Sequence, residues 1–194
     1  MKIINLIFKN EKFKLSSPFG NRKVMNVKNV RTNKFHSGAD YSTYGKKLKQ
    51  YAVENGEVIT TGKDSYGALY VKIKYPSLKV RMDHWHLDKI LVKKGDKVNT
   101  DTIIGITGKT GLATGIHLHL QIYDYTTKEY IDPETYNYKE NSSPNKYYIV
   151  KKGDNLTKIG KKYNLTWKNI YKNNKDIIGD NPDLIQPGMK LLIK

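Results

Sequence analysis

Alternating apolar and polar residues recur along the first two thirds of the chain and predict short β-strands. The clearest case is residues 116–123, where Ile, Leu, Leu and Ile alternate with two His and a Gln, as in a half-buried strand. Similar patterns predict strands at 51–60, 69–75, 80–87 and 101–106. Glycines separate these segments, as expected for turns between antiparallel strands. This region shows no sustained helical periodicity, and its predicted fold is mainly β, with an antiparallel sheet.

The pattern changes at residues 137–146, NYKENSSPNK, a polar segment without an apolar period. It predicts a linker at 138–146 between two domains, at 1–137 and 147–194. In the second domain, apolar residues follow first a strand, then helical spacing in two segments, and then a strand again. A small α+β domain of βααβ order is therefore predicted. We expect Asp154 to cap its first helix, and Gly160 to allow close packing of that helix.

Two clusters of histidines have spacings that suit a metal site. His36 and Asp40 are four residues apart and can share a face in a helix or in a strand. His117 and His119 are two residues apart in the predicted strand 116–123, which places both on one face with the core behind them. Two histidines and one aspartate are donors that zinc accepts, and a three-ligand site leaves a position for water.

Composition excludes several function classes. The 194 residues include no cysteine, so disulfides, thiolate metal ligands and a cysteine nucleophile are all excluded. A net charge of +17 indicates attraction to polyanions. The lysines are scattered, and no helix-turn-helix, zinc-finger or RNP-like motif accompanies them. An anionic cell wall explains this charge as well as a nucleic acid does, and we expect no specific nucleic-acid partner.

The amino terminus, MKIINLIFKNEKFK, contains a short apolar run broken by Asn5, without a small-residue cleavage site after it. The run is too short for a signal peptide or a membrane span. We therefore expect synthesis in the cytoplasm, no membrane insertion, and a separate route of release if the protein acts outside the cell.

The segment GITGKTGLATG resembles a phosphate-binding loop only superficially. A Walker A motif requires glycine five positions before Gly108, where this chain has Ile103, and a helix should follow. We interpret the glycines as a tight turn that presents His117. The chain also lacks HExxH, so a helix-borne glutamate base is excluded.

Residues 17 to about 136 resemble the M23 zinc metallopeptidases of the LytM or lysostaphin type. The matching segments are SPFGNR with Arg22, the HxxxD of His36 and Asp40, HL at His86 and Leu87, VKKGDKVNTDTIIGITGKTGLATG, HLH at 117–119, and YIDP. Residues 147–194 resemble a LysM domain through YIVKKGDNLTKIGKKYNLTWKNIYKNN and NPDLIQPGMKLLIK.

The M23 resemblance implies a role for each histidine except one. By analogy, His36, Asp40 and His119 bind one zinc ion, and His86 and His117 perform acid–base and oxyanion chemistry. His84 occupies a position that is commonly tyrosine in the family. Because it lies two residues before His86, we expect it beside His86 on the cleft face.

The LysM resemblance implies a site for glycans that contain N-acetylglucosamine. The groove would lie between two loops, formed by Gly153, Asp154, Asn155 and Leu156 on one side and by Ile185, Gln186, Pro187 and Gly188 on the other. Backbone amides and shallow apolar contacts suit sugar recognition. The alternative for Leu156 and Ile185 is that both side chains belong to the core.

Together these features indicate a monomeric, zinc-dependent peptidoglycan hydrolase, with peptide stems or cross-bridges as substrate and a LysM domain that binds the glycan. The two-domain layout resembles a bacteriophage endolysin, released through a membrane opened by a holin, more than a secreted autolysin. The alternatives are a metal-free, inactive LytM-type wall factor that regulates other hydrolases, and a phage tail-associated lysin.

Overall fold

The computed structural model describes residues 2–9, 11–136, 138 and 146–193. The chain divides into two compact units, residues 1–139 and 140–194. Most of the linker predicted at 138–146 lies outside the described residues. Within the described ranges, every helix is too short or too polar to span a lipid bilayer.

The first unit is built mostly of strands. Its elements are α1 (Ile3–Phe8), β1 (Lys14–Ser17), β2 (Gly20–Asn21), β3 (Asn26–Val27), β4 (Val30–Arg31), β5 (Phe35–His36), β6 (Ala39–Ser42), β7 (Lys49–Tyr51), β8 (Gly56–Lys63), β9 (Leu69–Tyr75), a 3₁₀ turn at Pro76–Leu78, β10 (Val80–Ile90), β11 (Lys97–Val98), β12 (Ile103–Thr107), β13 (His117–Asp124) and β14 (Glu129–Ile131). The prediction of a mainly β fold is confirmed.

One large antiparallel sheet carries the site. Its strand order is β1-β6-β13-β10-β9-β8-β11. In addition, β14 pairs with β13, and β12 pairs with both β10 and β7. β2 pairs with β5, and β3 pairs with β4, in two small hairpins. The strand predicted at 51–60 is wrong as a single element, because residues 52–55 separate β7 from β8.

The two faces of the sheet differ in chemistry because side chains alternate along each strand. On β13, Leu118, Leu120 and Ile122 are fully buried, whereas the histidines that alternate with them are half-buried. Met82 on β10 joins the same core. Each such fully buried side chain contributes about 1.5–3 kcal/mol, so slipping β13 by one residue would expose its leucines and is strongly disfavoured. The core therefore fixes which side chains point at the site.

The amino-terminal helix α1 was not predicted, because this unit shows no sustained helical periodicity in its sequence. Ile3, Ile4, Ile7 and Phe8 are all fully buried in the main core. Six residues are fewer than two turns, too few for a helical period to stand out in the sequence. The helix is stable here because its apolar face packs on the core.

A β-bulge in β10 separates His84 from His86. The pairing with β9 shifts register between His84 and Leu87, and His86 has a positive φ of 62°. Bulges locally re-aim side chains. His84 points into the core with no exposed surface, whereas His86 is half-buried near the histidines of β13. The expectation that His84 lies on the cleft face is therefore wrong.

The second unit contains β15 (Lys146–Ile149), α2 (Leu156–Tyr163), α3 (Trp167–Asn173), α4 (Lys175–Ile178) and β16 (Lys190–Ile193). β15 and β16 are antiparallel. The predicted βααβ order omits only the short helix α4. A Cβ atom at Gly160 would lie 2.5 Å from the Leu165 carbonyl oxygen, so this glycine lets the chain after α2 fold back closely.

The cap of α2 differs from the prediction. The side chain of Asn155, not of Asp154, accepts a hydrogen bond from the Lys158 N–H. The Asp154 carboxylate instead accepts from the Lys151 N–H and from the Tyr148 hydroxyl, both at 2.8 Å. Thr166 caps α3, since its side chain accepts from the Asn169 N–H.

Candidate metal centre and active site

Three side chains from β5, β6 and β13 converge on one point. Asp40 Oδ1 lies 2.7 Å from His119 Nδ1 and 3.2 Å from His36 Nε2. The two ring nitrogens lie 2.9 Å apart. In a tetrahedral zinc site the ligand atoms are separated by about 3.3 Å, so the donor types and their spacing fit a divalent metal ion such as zinc. The structure thus brings together all three predicted ligands, and only these residues form such a cluster in the described part of the chain.

The pairing register of the strands determines where these ligands lie. Asp40 lies opposite His119 in the pairing of β6 with β13. A Cβ atom at Gly38 would lie 2.5 Å from the Leu120 carbonyl oxygen and 2.8 Å from His119 Cε1. Only glycine therefore lets the segment between His36 and Asp40 lie this close to β13.

A hydrogen bond outside the cluster orients His36. Its Nδ1 lies 2.8 Å from the Pro18 carbonyl oxygen. A carbonyl can only accept, so Nδ1 carries the proton and Nε2 presents its lone pair to the centre.

The charge states of the cluster also favour metal binding. Burial alone would raise the pKa of Asp40, but the hydrogen bonds to His119 and His36 outweigh it and hold that pKa well below its ordinary value. Burial lowers the pKa of His119, although Asp40 opposes this shift. An ionised carboxylate and a neutral imidazole are the forms that coordinate cations. Arg22 lies nearby, with Nη1 3.9 Å from Asp40 Oδ2.

His86 and His117 lie beside the cluster, with their ring centroids 4.7 Å apart. His86 Nδ1 donates to the Thr110 carbonyl at 2.7 Å, and His117 Nδ1 donates to the Gly115 carbonyl at 2.9 Å. In each ring Nε2 is therefore the unprotonated nitrogen of the neutral form. His117 Nε2 lies 3.8 Å from Asp40 Oδ1. Both predicted acid–base residues are thus placed at the metal centre.

The pKa of His86 is lowered to about 4, mainly by burial and then by the neighbouring His117, against a raising effect of its bond to Thr110. His86 is consequently neutral at physiological pH. A neutral imidazole can accept a proton.

Thr110 holds the glycine-rich segment that carries these carbonyl groups. Its hydroxyl accepts from the Leu69 N–H at 3.0 Å and donates to the Leu87 carbonyl at 2.8 Å. A Cβ atom at Gly111 would lie 2.4 Å from the Ala68 Cβ. Sequence analysis assigned no role to Thr110, because its importance comes from strands that are more than 20 residues away in sequence.

A second contact ties the metal-ligand segment to the sheet. Trp85 Nε1 donates to Gln121 Oε1 at 2.9 Å, and Gln121 Nε2 donates to Ser37 Oγ at 2.6 Å. Ser37 follows His36 directly. This chain of bonds was not foreseen, although Gln121 continues the alternating pattern of His117 and His119.

His84 has a structural role. Its Nδ1 lies 2.9 Å from Gln50 Oε1, and Gln50 Nε2 donates to Thr107 Oγ1 at 3.2 Å. Burial lowers the pKa of His84 to about 3, so the ring is neutral in the folded protein. It joins β10 to β7 and β12 from inside the core.

The residues predicted to bind glycan lie on the segment between β15 and α2, at the first residue of α2, and on the segment before β16. Hydrogen bonds between the Gly188 N–H and the Val150 carbonyl, and between the Val150 N–H and the Met189 carbonyl, bring these segments together. Leu156 is 4% exposed and belongs to the core, against which the half-buried Ile185 packs. The prediction of Leu156 as a groove side chain is therefore wrong.

Comparison with known proteins agrees with this site. Residues 34–133 match peptidase family M23, and residues 148–194 match the LysM domain. Two relatives from Vibrio cholerae serotype O1 are peptidoglycan DD-endopeptidases. ShyB is 39% identical over 88 residues, which are 45% of this chain and 20% of ShyB. ShyA is 36% identical over 115 residues, 58% of this chain and 25% of ShyA.

The chain thus spans a quarter or less of the length of these two relatives. Among solved structures, a zinc-containing peptidase from Vibrio cholerae superposes with a TM-score of 0.54 at 30% identity, over 65% of this chain and 37% of the other. Since the family match covers residues 34–133 of 194, just over half, and includes every residue of the metal centre, the chain belongs to peptidase family M23 and carries a LysM domain at residues 148–194.

Proposed function

We propose that this protein is a zinc-dependent endopeptidase that cuts peptide stems or cross-bridges of bacterial peptidoglycan. The observation that carries the proposal is the convergence of three metal-ligand atoms with the rings of His86 and His117 on one face of the sheet. The match to family M23 and the likeness to peptidoglycan DD-endopeptidases support it.

Zinc held by His36, Asp40 and His119 would lower the pKa of a water molecule and polarise the scissile carbonyl. The protein's own contribution is orientation. The bond from His36 to Pro18 fixes one ring, and the pairing of Asp40 with His119 across two strands fixes the other two ligands. Preorganised ligands avoid the cost of rearrangement during the reaction.

His86 and His117 would accept and donate protons during the reaction. Each has its Nδ1 hydrogen bonded to a backbone carbonyl, so its Nε2 can accept a proton from the attacking water. The resulting imidazolium can stabilise the oxyanion or return the proton to the leaving amine. A tetrahedral intermediate thus has both a proton acceptor and a donor within one cluster.

The presence of every ligand favours an enzyme over a metal-free regulatory wall factor, since such a factor would be expected to have lost at least one. The test is digestion of peptidoglycans of defined chemistry, with the new amino termini identified by mass spectrometry. His117→Ala should retain the metal and lose on the order of 10² to 10⁴ in turnover. Full cleavage by protein stripped of zinc would contradict the mechanism.

We further propose that the LysM domain binds N-acetylglucosamine-containing glycan through the segments 153–155 and 185–188. The joined backbones at Val150 and Gly188 support this arrangement, because backbone amides in fixed positions suit sugar hydroxyls. The full chain should bind insoluble peptidoglycan at salt concentrations that screen its net charge of +17. A version ending at Lys139 should cleave soluble peptides normally but degrade whole sacculi more slowly, since tethering raises local concentration.

A role as a bacteriophage endolysin, made in the cytoplasm and released through a holin, also remains our proposal. The combination of a wall peptidase with a glycan-binding module supports it. Expression of the chain in a sensitive host should cause lysis only when a holin is co-expressed. Lysis without a holin would favour a different route to the wall.

A further inference from the structure

The face of the sheet that carries the metal centre continues along the strands as a band of aromatic and basic side chains. We call it the aromatic–basic face, and it comprises Tyr70, Lys72, Arg81, Trp85, Tyr123 and Tyr130, all half-buried. Register shows that it shares a surface with the catalytic residues, because Trp85 lies opposite His119, and Arg81 lies opposite Tyr123.

The rings form two groups. Near the metal centre, Tyr70 and Trp85 have ring centroids 4.7 Å apart, and Lys72 Nζ lies 5.4 Å from each. Further along, Tyr123 and Tyr130 meet edge to face at 5.4 Å. Such fixed rings offer apolar surface without much loss of side-chain freedom on binding.

Arg81 organises the far group. Its guanidinium lies 4.9 Å from the ring centroid of Tyr123 and donates to the hydroxyl of Tyr130 at 2.9 Å. It also forms two hydrogen bonds to Asp83, at 2.6 and 2.9 Å. Asp83 is fully buried, so Arg81 is locked in place and holds the rings with it.

The charge of the face is positive. Arg81 and Lys72 pair with the buried carboxylate of Asp83, and the exposed Lys74 lies opposite Arg81. Glu57, which lies opposite Lys74, is already paired with Lys97. An excess of cations beside half-buried rings favours a ligand that has both carboxylates and flat apolar faces.

Distance links this face to the reaction. His119 and Tyr123 are four residues apart on β13, which corresponds to about 13 Å along the strand. An extended peptide of four residues has the same length. A substrate peptide with its scissile bond at the metal centre, running along β13, would therefore bring its far end to Tyr123.

We propose that the aromatic–basic face binds the sugar-bearing end of the substrate: the sugar attached to the stem peptide stacks on Tyr123 and Tyr130, and stem carboxylates pair with the lysines. This inference rests on the proposed function. Aromatic and basic residues on a sheet also suit single-stranded nucleic acid. Continuity with the peptidase centre and the match in length favour the glycopeptide.

The test compares two cross-linked muropeptides that differ only in their sugar, which an amidase has removed from one. The zinc-loaded chain of residues 1–194 should have a kcat/KM up to about tenfold higher for the sugar-bearing substrate, which is the gain expected from one well-placed aromatic contact. Tyr123→Ala should abolish this preference, and Tyr123→Phe should keep it. The exposed ring of Tyr125 packs edge to face against Tyr123, with the ring centroids 5.6 Å apart. Because this contact supports Tyr123, Tyr125→Ala should reduce the preference with little risk to folding.

Tyr51→Ala is the matched control, because Tyr51 also lies under a lysine, Lys9, but on β7. It should keep the wild-type preference. Equal cleavage of both substrates by wild-type protein would overturn the inference and leave the proposed function intact. An equal slowing of both by Tyr123→Ala would also overturn it, by showing a structural role.

If neither substrate is cleaved, the proposed function fails, and calorimetry still tests the face. Wild-type protein should then bind the sugar-bearing muropeptide more tightly than Tyr123→Ala does. Binding of a single-stranded oligonucleotide that depends on Tyr123, without binding of the muropeptide, would overturn the inference in favour of a nucleic-acid surface.

Discussion

The two units of the chain use their polar residues in opposite ways. In the peptidase unit, backbone carbonyls hold the rings of His36, His86 and His117 through Nδ1, and the Nε2 nitrogens remain available. In the LysM unit, the side chains of Asp154 and Asn155 are already bonded within their own turn. Substitutions in the first unit should therefore change chemistry, and those in the second should change local stability.

The largest effect is expected at a metal ligand. Asp40→Ala removes one of three donors and should abolish both zinc binding and cleavage, with a loss of at least about 10³ in kcat/KM, since the metal contributes several kcal/mol to the transition state. Metal analysis and kinetics on a soluble muropeptide measure the two losses. Asp101→Ala is the control, because the side chain of Asp101 is 91% exposed. Zinc retained at full occupancy by Asp40→Ala would show that the ligand set is wrong.

A smaller effect should follow when only the support of a catalytic ring is removed. Thr110→Val deletes the hydroxyl that bonds Leu69 and Leu87, and should let the carbonyl that orients His86 move. We expect a tenfold to hundredfold loss of kcat, roughly what a misplaced catalytic group costs, with zinc content unchanged. Thr110→Ser should restore most of the activity. Equal kcat for the valine and wild-type proteins would show that the glycine-rich segment holds its position without this hydroxyl.

These two positions also show what could be predicted from sequence. Spacing placed His36 with Asp40 and His117 with His119, because those pairs follow local periodicity, and the M23 resemblance assigned their roles. Thr110 could not be found in this way, since its partners are distant in sequence. The helix α1 was missed because six residues show too little periodicity.

The bulge in β10 explains the most instructive wrong prediction, the position of His84. Two histidines two residues apart share a face in a regular strand, and this rule places His84 beside His86. The extra residue between His84 and Leu87 is set by pairing with β9, which the local pattern does not encode. The result is one histidine in the core and one at the site.

A pH experiment tests whether His84 stays neutral inside the core. The pKa of His84 is about 3 in the folded state, below the ordinary value of 6.5. The unfolded chain therefore binds one more proton between these values, and His84 makes the fold less stable as pH falls below about 6.5. Relative to His84→Gln, the wild type should lose up to about 1.4 kcal/mol per pH unit.

Urea unfolding between pH 7 and pH 4 measures this difference. A background of Trp167→Phe leaves Trp85 as the only tryptophan, so that fluorescence reports on the peptidase unit. If the free energy of unfolding changed with pH equally in the two proteins, the folded state would not lower the pKa of His84, and the ring would be accessible to protons there.

The smallest effect concerns the LysM unit and tests the other half of the comparison. Asn155→Ala removes the cap of α2, where its side chain accepts from the Lys158 N–H at 2.8 Å. The expected cost is about 1 kcal/mol in the free energy of unfolding of this unit, and Asn155→Asp should recover most of it because aspartate is an equally good cap. Fluorescence of Trp167 in a Trp85→Phe background follows the unit selectively.

Cleavage of a soluble muropeptide should be the same for Asn155→Ala, Asn155→Asp and their common background, since this substrate offers no sacculus for a LysM domain to hold. A loss of peptidase activity in Asn155→Ala on that substrate would show that the two units are coupled in catalysis and that their polar residues do not act separately.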